Sequence, residues 1–304
     1  MRNSYVLMIA AILFAAYLWH NRTPSSGEPP PAPVKRAKEI SVPVPQTASP
    51  APQIAALADT PPSDPRPPRS ARYRMVDDWV IAYGDILLGK PSTPDFPPEG
   101  YVSPPTWQKW PNNKIPYSIH VDLPNAERVL RVVEYFNAHT DLKLVPYESG
   151  EDSLVFAPFK DHCLSYLGRI GGHQPVFLDD RCSDTEITHE VMHAAGFVHE
   201  HSRPDRDRYV KVNWDNVMDE KRDQFDTVPE ELAKILLNRP FDYKSAMIYH
   251  PSAFAKDRGS WTLQSVNGEK IDPPEMGLSA EDIQRIKLLH LVPPGQTKKD
   301  VLRN

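Results

Sequence analysis

The sequence predicts an α+β domain of roughly 200 residues, beginning near residue 73. Three observations point to this class. Short apolar runs with strand character recur between residues 114 and 178. An amphipathic helical repeat interrupts them at 125–139, and helical patterns with capping residues follow from about 183 onward. A few strands followed by helices, without regular βαβ alternation, is the pattern of an α+β domain. No internal repeat is visible.

Each element has its own local reason. Val76, Trp79, Val80, Ile81, Ile86, Leu87 and Leu88 form a short apolar segment broken by Gly84-Asp85, and proline then returns from Pro91 to Pro105. Lys114 to His120 reads as a strand. Ala126, Val129, Leu130, Val133 and Phe136 recur at helical spacing and predict a helix over 125–139. Leu142 with Leu144, Leu154 to Phe156, and Pro175 to Leu178 suit short strands. A helix is expected to start near Ser183 to Thr185, where capping side chains and acids gather. The last helix enters through Leu278-Ser279-Ala-Glu-Asp282 and runs towards His290.

Composition separates the N-terminal part from this domain. Residues 1–22 carry Arg2 and then an unbroken apolar run, Tyr5 to Trp19. The run is shorter than the roughly 20 residues of a comfortable membrane span and suits a secretory signal. Bulky Tyr17, Leu18, Trp19 and His20 follow the small residues, so an uncleaved anchor tethered through residues 5–19 stays open beside a cleaved signal peptide. Either predicts export, with the folded part periplasmic, membrane-anchored or secreted. Residues 23–72 hold runs such as Pro61 to Pro68, which cannot bury a core and favour extended polyproline conformations. They are expected to be a disordered spacer. Two cysteines, Cys163 and Cys182, allow one intramolecular disulfide in an exported chain, with two separate thiols as the alternative. A net charge of -5 without a basic stripe argues against a nucleic-acid partner.

The most specific signal is His189-Glu-Val-Met-His193-Ala-Ala-Gly196-Phe-Val-His199. On a helix, positions i and i+4 share a face, so His189 and His193 can address one cation. Gly196 can adopt a left-handed conformation, end the helix and return His199 as a third ligand. Three neutral imidazoles with an open fourth position describe a catalytic Zn2+ site, one ion per chain. Glu190 can reach a water at that position without being a ligand, as a general base should. A structural zinc site would close with four protein ligands, often cysteines, and no cysteine is nearby.

The residues beyond the motif extend the pattern. His189 to Asp207 reads HEVMHAAGFVHEHSRPDRD, which resembles the signature of the astacin family of metzincin endopeptidases through Phe197, Glu200, Arg203, Asp205, Arg206 and Asp207. The resemblance spans about residues 107–292 and includes Trp110 to Tyr117 and Cys163 to Gly168. It implies a metzincin-type protease domain in two subdomains, a small mixed sheet with the zinc-site helix above the cleft and the C-terminal helix below it. Ser245-Ala-Met247-Ile-Tyr249 fits the family's methionine turn, SxMxY. Met247 would be the floor under the imidazoles, and Tyr249 a reversible zinc ligand that swings out to stabilise the oxyanion. Substrate would lie along an edge strand near Gly168 to Leu178.

The same resemblance implies latency. Glu200 corresponds to the glutamate that meets the new N-terminus of the cut enzyme, and counting back from Ile115 to Tyr117 puts that terminus near Gly100 to Ser103. Trp79 to Leu88 resembles the family's prosegment motif FxGDI, whose aspartate sits on the zinc. Asp85 is the candidate for this switch, with a solvated turn aspartate after Gly84 as the alternative. Tyr83 fills the intervening position and Ala82 stands where the motif has phenylalanine. The family's second disulfide is missing, and Ile248 replaces the histidine of SxMHY. The absence of a later domain resembles minimal bacterial members. The expected division is therefore 1–22 signal or anchor, 23–72 linker, 73–100 prosegment and 101–304 catalytic domain. The expected activity is zinc-dependent hydrolysis of peptide bonds in extracellular or periplasmic proteins by a monomer made as a latent precursor. The alternative is a catalytically silent, membrane-tethered binding protein on the same fold. Residues around Phe254 to Gln264 would select the residue after the cut bond, and Lys256 and Arg258 there would favour acidic ones.

Overall fold

The structure is a computed structural model that describes residues 51–56, 70–275 and 277–291. The expected signal or anchor, most of the proline-rich linker and the end of the chain lie outside the described residues.

The part of the main sheet from residue 114 onward follows the expected strands closely. Strands β6 (Lys114–Ile119), β7 (Lys143–Pro146), β8 (Ser153–Pro158), β9 (Cys163–Tyr166) and β10 (His173–Leu178) lie in the order β9-β10-β8-β6-β7. The β10/β8, β8/β6 and β6/β7 pairs are parallel, and only β9 runs antiparallel to its neighbour β10. Helix α1 (Glu127–His139) buries Val129, Val132, Val133 and Phe136, the face its periodicity marks. It packs against β7 and against helix α2 (Asp184–Ala195), which also rests on β9 and β10.

The sheet is larger than expected, with ten strands, because residues before 103 extend it. Strands β2 (Ala71–Val76), β3 (Trp79–Ala82), β4 (Ile86–Pro91) and β5 (Glu99–Val102) form an antiparallel meander in the order β5-β2-β3-β4. β4 then pairs in parallel with β9, Ile86 opposite Ser165 and Leu87 opposite Tyr166. The short strand β1 (Gln53–Ile54) also pairs with β4. Residues 53–54 and 71–72, expected in the disordered spacer, are thus in strands. The apolar segment at 76–88 is not a loose loop, because both of its faces are buried. Val80, Ala82 and Ile86 join the main core, while Ile81 and Leu87 pack with Leu164, Tyr166 and Phe177 in a separate cluster.

The second subdomain is mostly irregular. A two-stranded sheet of β11 (Val210–Val212) and β12 (Leu263–Ser265) covers a small core that includes Phe225, Phe241 and Ile248. Helices α3 (Glu230–Leu237) and α4 (Ala280–Leu291) touch each other. Cys163 and Cys182 are joined in a disulfide that ties β9 to the entry of α2.

Candidate metal centre

Helix α2 is well punctuated. Ser183 caps it, its hydroxyl accepting from the Thr185 amide at 3.2 Å, while the Glu186 carboxylate accepts from the Ser183 amide at 2.8 Å. Gly196 ends it at φ 107°, where any L side chain would be strained, and a Cβ there would lie 2.4 Å from the Trp107 ring. The turn returns His199 to the face that carries His189 and His193.

The three imidazoles and the Asp85 carboxylate offer four ligand atoms that all lie within 4.8 Å of one another. His193 Nε2 is 2.9 Å and His199 Nε2 3.4 Å from Asp85 Oδ1, and His189 Nε2 is 3.5 Å from Oδ2. The outer nitrogens of two rings are committed. His189 Nδ1 meets the Ala246 carbonyl at 2.8 Å and His193 Nδ1 the Phe197 carbonyl at 2.7 Å. A carbonyl can only accept, so each Nδ1 carries the proton and each Nε2 turns a lone pair inward. Burial pushes the His193 pKa down to about 4 and lowers that of His199, which keeps both rings neutral. Burial also opposes charge on His189, but the bond to Asp85 and its charge outweigh it and the net shift is upward. His189 Nε2 and His199 Nε2 are 2.9 Å apart. Inward lone pairs at that separation, beside a buried carboxylate oxygen with no hydrogen-bond partner, fit a cation among them. The donor set of three nitrogens and one oxygen fits zinc.

Glu190 lies beside this cluster, 1% exposed, with Oε2 lacking a partner. Burial first, and then the nearby Asp85 charge, hold its pKa well above the usual carboxylate range. That is the environment of a proton acceptor whose work requires water or substrate to arrive.

The methionine turn is held from below by α4. Asp282 accepts from the Ser245 hydroxyl and the Ala246 amide, both at 2.7 Å, and the Ala246 carbonyl in turn receives His189 Nδ1. Met247 is buried in the main core. Tyr249 stacks on His201, ring centroids 3.9 Å apart, and its hydroxyl donates to Gln224 Oε1 at 3.1 Å. Burial, followed by the charges of Asp85 and Asp223, pushes the Tyr249 hydroxyl pKa well up, so it is a donor at neutral pH. Glu200 is fully buried and already filled. It accepts from Arg203 at 2.9 Å, from Arg285 at 2.8 and 3.0 Å, and from the Asp242 amide at 2.8 Å.

Asp85 reaches the histidines because the chain kinks just before it. Tyr83 and Gly84 both have positive φ, 52° and 104°. A Cβ on Gly84 would lie 2.5 Å from the Tyr249 hydroxyl oxygen, so only glycine fits. The Gly84 carbonyl accepts from Arg74 at 3.0 Å and from the Gln224 amide at 3.4 Å. Burial raises the Asp85 pKa, but His199 and His193 outweigh it, and the carboxylate is held well below its usual range.

Arg74, Gln224, Asp282 and Arg285 were not marked by the sequence as parts of this site. Asp282 alone carried a signal, as the last acid of a capping-box entry, and that signal spoke for the helix and not for the turn it supports. The edge strand also differs from expectation. Among the strands from residue 114 onward the outermost on the cleft side is β9, at 163–166, whose Cys163 and Leu164 line the cleft and whose free side β4 covers, while β10 is sandwiched between β9 and β8. Lys256, expected to favour acidic substrates, pairs with Asp219 at 3.1 Å.

A family model described as Astacin, a peptidase family, matches residues 103–290. Among curated relatives, the zinc metalloproteinase nas-13 of Caenorhabditis elegans is 37% identical over 191 residues, 62% of this chain and 42% of that protein. Zinc metalloproteinase nas-4 of the same nematode is 34% identical over 233 residues, covering 72% of this chain and 73% of the relative. The solved structure of high choriolytic enzyme 1, a hatching enzyme zinc-protease from the medaka fish Oryzias latipes, superposes with a TM-score of 0.53 at 30% identity, covering 60% of this chain and 92% of that one. The chain belongs to the astacin family. It spans about two fifths of nas-13 and about half of nas-7, so those relatives hold much that this sequence does not match. The affinity to minimal bacterial members is not borne out, since these relatives are animal proteins.

Proposed function

We propose that this chain is a zinc-dependent endopeptidase acting on protein or peptide substrates, held latent by its own residues 70–102. His189, His193 and His199 hold the metal, one ion per chain. Zinc, when bound, would make a water more acidic and polarise a peptide carbonyl. Glu190 takes the proton of the attacking water and passes it to the leaving amine nitrogen. Tyr249 leaves Gln224 and donates a hydrogen bond from its hydroxyl to the carbonyl oxygen as negative charge develops there, keeping its proton. Met247 is the packed floor, and the Cys163–Cys182 bridge fixes β9 against α2. An intact, buried Glu190 beside the cluster weighs against the silent binding-protein alternative.

The observation that carries the latent reading is the Asp85 carboxylate, 2.9 Å from His193 Nε2 among all three imidazoles. It fills the position that water needs. Residues 73–100 serve as the prosegment, and a cut near Gly100 to Ser103 would fall in β5, the outermost strand of the meander. The new N-terminus would join a Glu200 carboxylate already held by two arginines. Export through residues 1–22 fits this reading. Among the described residues no helix is long and apolar enough to cross a membrane, and residues 5–19 lie outside them.

The test is Asp85→Ala in the full chain. The uncut variant should cleave a generic protein substrate at least about tenfold faster than the uncut wild type, and a zinc chelator should abolish the gain. An uncut variant as inert as wild type, with zinc confirmed by metal analysis, would remove Asp85 from the switch.

A further inference from the structure

Strand β2 places two arginines against acids of one stretch of the second subdomain, and Arg74 of these lines the cleft. Arg74 Nε is 3.3 Å from Asp223 Oδ2, and Arg72 Nε is 3.6 Å from Asp226 Oδ2. Both carboxylates are largely buried, their side chains 13% and 12% exposed. They belong to one short stretch of the second subdomain, Asp223 in the 3-10 turn Asp219–Phe225 and Asp226 just after it. Asp223 stands close to the chemistry. The guanidinium it holds also donates to the carbonyl of Gly84, the residue before Asp85. The next side chain along, Gln224, receives the Tyr249 hydroxyl.

The cation on Asp223 therefore comes from the same segment that blocks the histidines. When that segment leaves, both go together. Asp223 then loses Arg74, and the other donor beside it, the Gln224 amide at 3.5 Å, is neutral. That leaves a carboxylate without its cation next to Gln224, which lines the cleft, and an opposite charge on an incoming chain is complementary to it. Lys221 also lines the cleft, but its ammonium lies over the Phe254 ring, 5.7 Å from the centroid. The planar fork of a guanidinium, or an ammonium, on an incoming chain restores what Arg74 supplied.

We propose that Asp223, with Asp226 beside it, is a seat for a basic side chain, so that the cleft freed of residues 70–102 selects peptides carrying Arg or Lys close to the bond that is cut. This rests on the peptidase reading above and assigns it a substrate class. It reverses the acidic preference that Lys256 and Arg258 suggested from sequence. The prosegment then inhibits partly by occupying the seat with its own arginine.

Two measurements on full-length protein activated by limited proteolysis test it. In the first, peptides identical but for one position near the cut carry Arg, Lys, Gln or Glu. At one position Arg and Lys should exceed Gln in kcat/KM by about tenfold, and Asp223→Asn should remove that difference. The absence of any basic preference, or its survival in Asp223→Asn, overturns the proposal. The second needs no catalysis. A labelled peptide of residues 70–91 is bound to activated protein carrying Glu190→Gln, with and without Arg74→Gln in the peptide and Asp223→Asn in the protein. Arg74→Gln should weaken binding about tenfold against Asp223 and have little effect once Asp223→Asn is present. Equal losses in both backgrounds overturn the seat. If this coupling is found in a protein that cuts no peptide, the peptidase reading fails and the seat stands.

Discussion

Glu190 shows how one side chain can be chemically prepared by what surrounds it. It sits on the same helix as His189 and His193, is buried, and has an oxygen without a partner. Its carboxylate is therefore poorly solvated, which suits the proposed role of taking a proton from the attacking water. Glu190→Gln keeps the shape and removes the base. Activated protein with this change should lose about 10²- to 10⁴-fold in kcat while still binding zinc, checked by peptide turnover alongside metal analysis. Gly84 is the corresponding case in residues 70–102. Its left-handed conformation and its contact with the Tyr249 hydroxyl let Asp85 enter, and the requirement is steric, so no conservative replacement exists.

At the scale of elements, the histidines are oriented by parts distant in sequence. Helix α4 holds the methionine turn through Asp282, and the turn holds His189 through the Ala246 carbonyl. Asp282→Ala would leave the Ser245 hydroxyl and the Ala246 amide buried without acceptors. The expected cost is about 2–4 kcal/mol in unfolding free energy, from two lost charge-assisted bonds. Zinc should also bind more weakly, measured by denaturant unfolding and by competition with a chromophoric chelator. A second junction lies beside the disulfide. Asp179, in the connection between β10 and α2, accepts from the Arg181 side chain and from the amides of Asp161 and Arg181. These bonds, the Arg181 side chain foremost, hold its pKa well below the usual carboxylate range. A carboxylate depressed in the folded state stabilises the fold above its unfolded pKa, near 3.9, and the contribution is lost as pH falls towards the folded value. The stability advantage of wild type over Asp179→Asn should be full at about pH 6 and shrink below about pH 4, read from urea unfolding at each pH. An advantage that stays constant over that range would mean that the bonds do not depend on the charge.

At the scale of the molecule, residues 70–102, which we propose act as a prosegment, are a structural layer and not a plug. Their four strands continue the catalytic sheet, and Ile81 and Leu87 share a cluster with Leu164, Tyr166 and Phe177. Removing residues 70–102 exposes that apolar face and opens the β9 edge. The activated protein should therefore melt several degrees below the precursor and bind more of a hydrophobic dye, since each kcal/mol is worth roughly 2–4 °C for a domain of this size. Equal melting temperatures would mean that the meander adds no stability to the catalytic part.

The sequence by itself determined the metal centre's identity and most regular elements. The reason is local: i, i+4 spacing, a helix-ending glycine and a capping box act within a dozen residues, so His189, Glu190, His193 and His199 could be placed without the rest of the fold. Helices α1, α2 and α4 and strands β6, β7, β8 and β10 were legible for the same reason. Only the tertiary structure decided which strand forms the edge of the catalytic sheet, that residues 71–102 are strands, and that Arg74, Gln224, Asp282 and Arg285 belong to the site. Those contacts join residues from 37 to 149 positions apart. An aspartate that caps a helix and one that also carries a methionine turn look alike in sequence. What separates them is the chain that packs against them, and that is fixed only when burial brings the distant segments together.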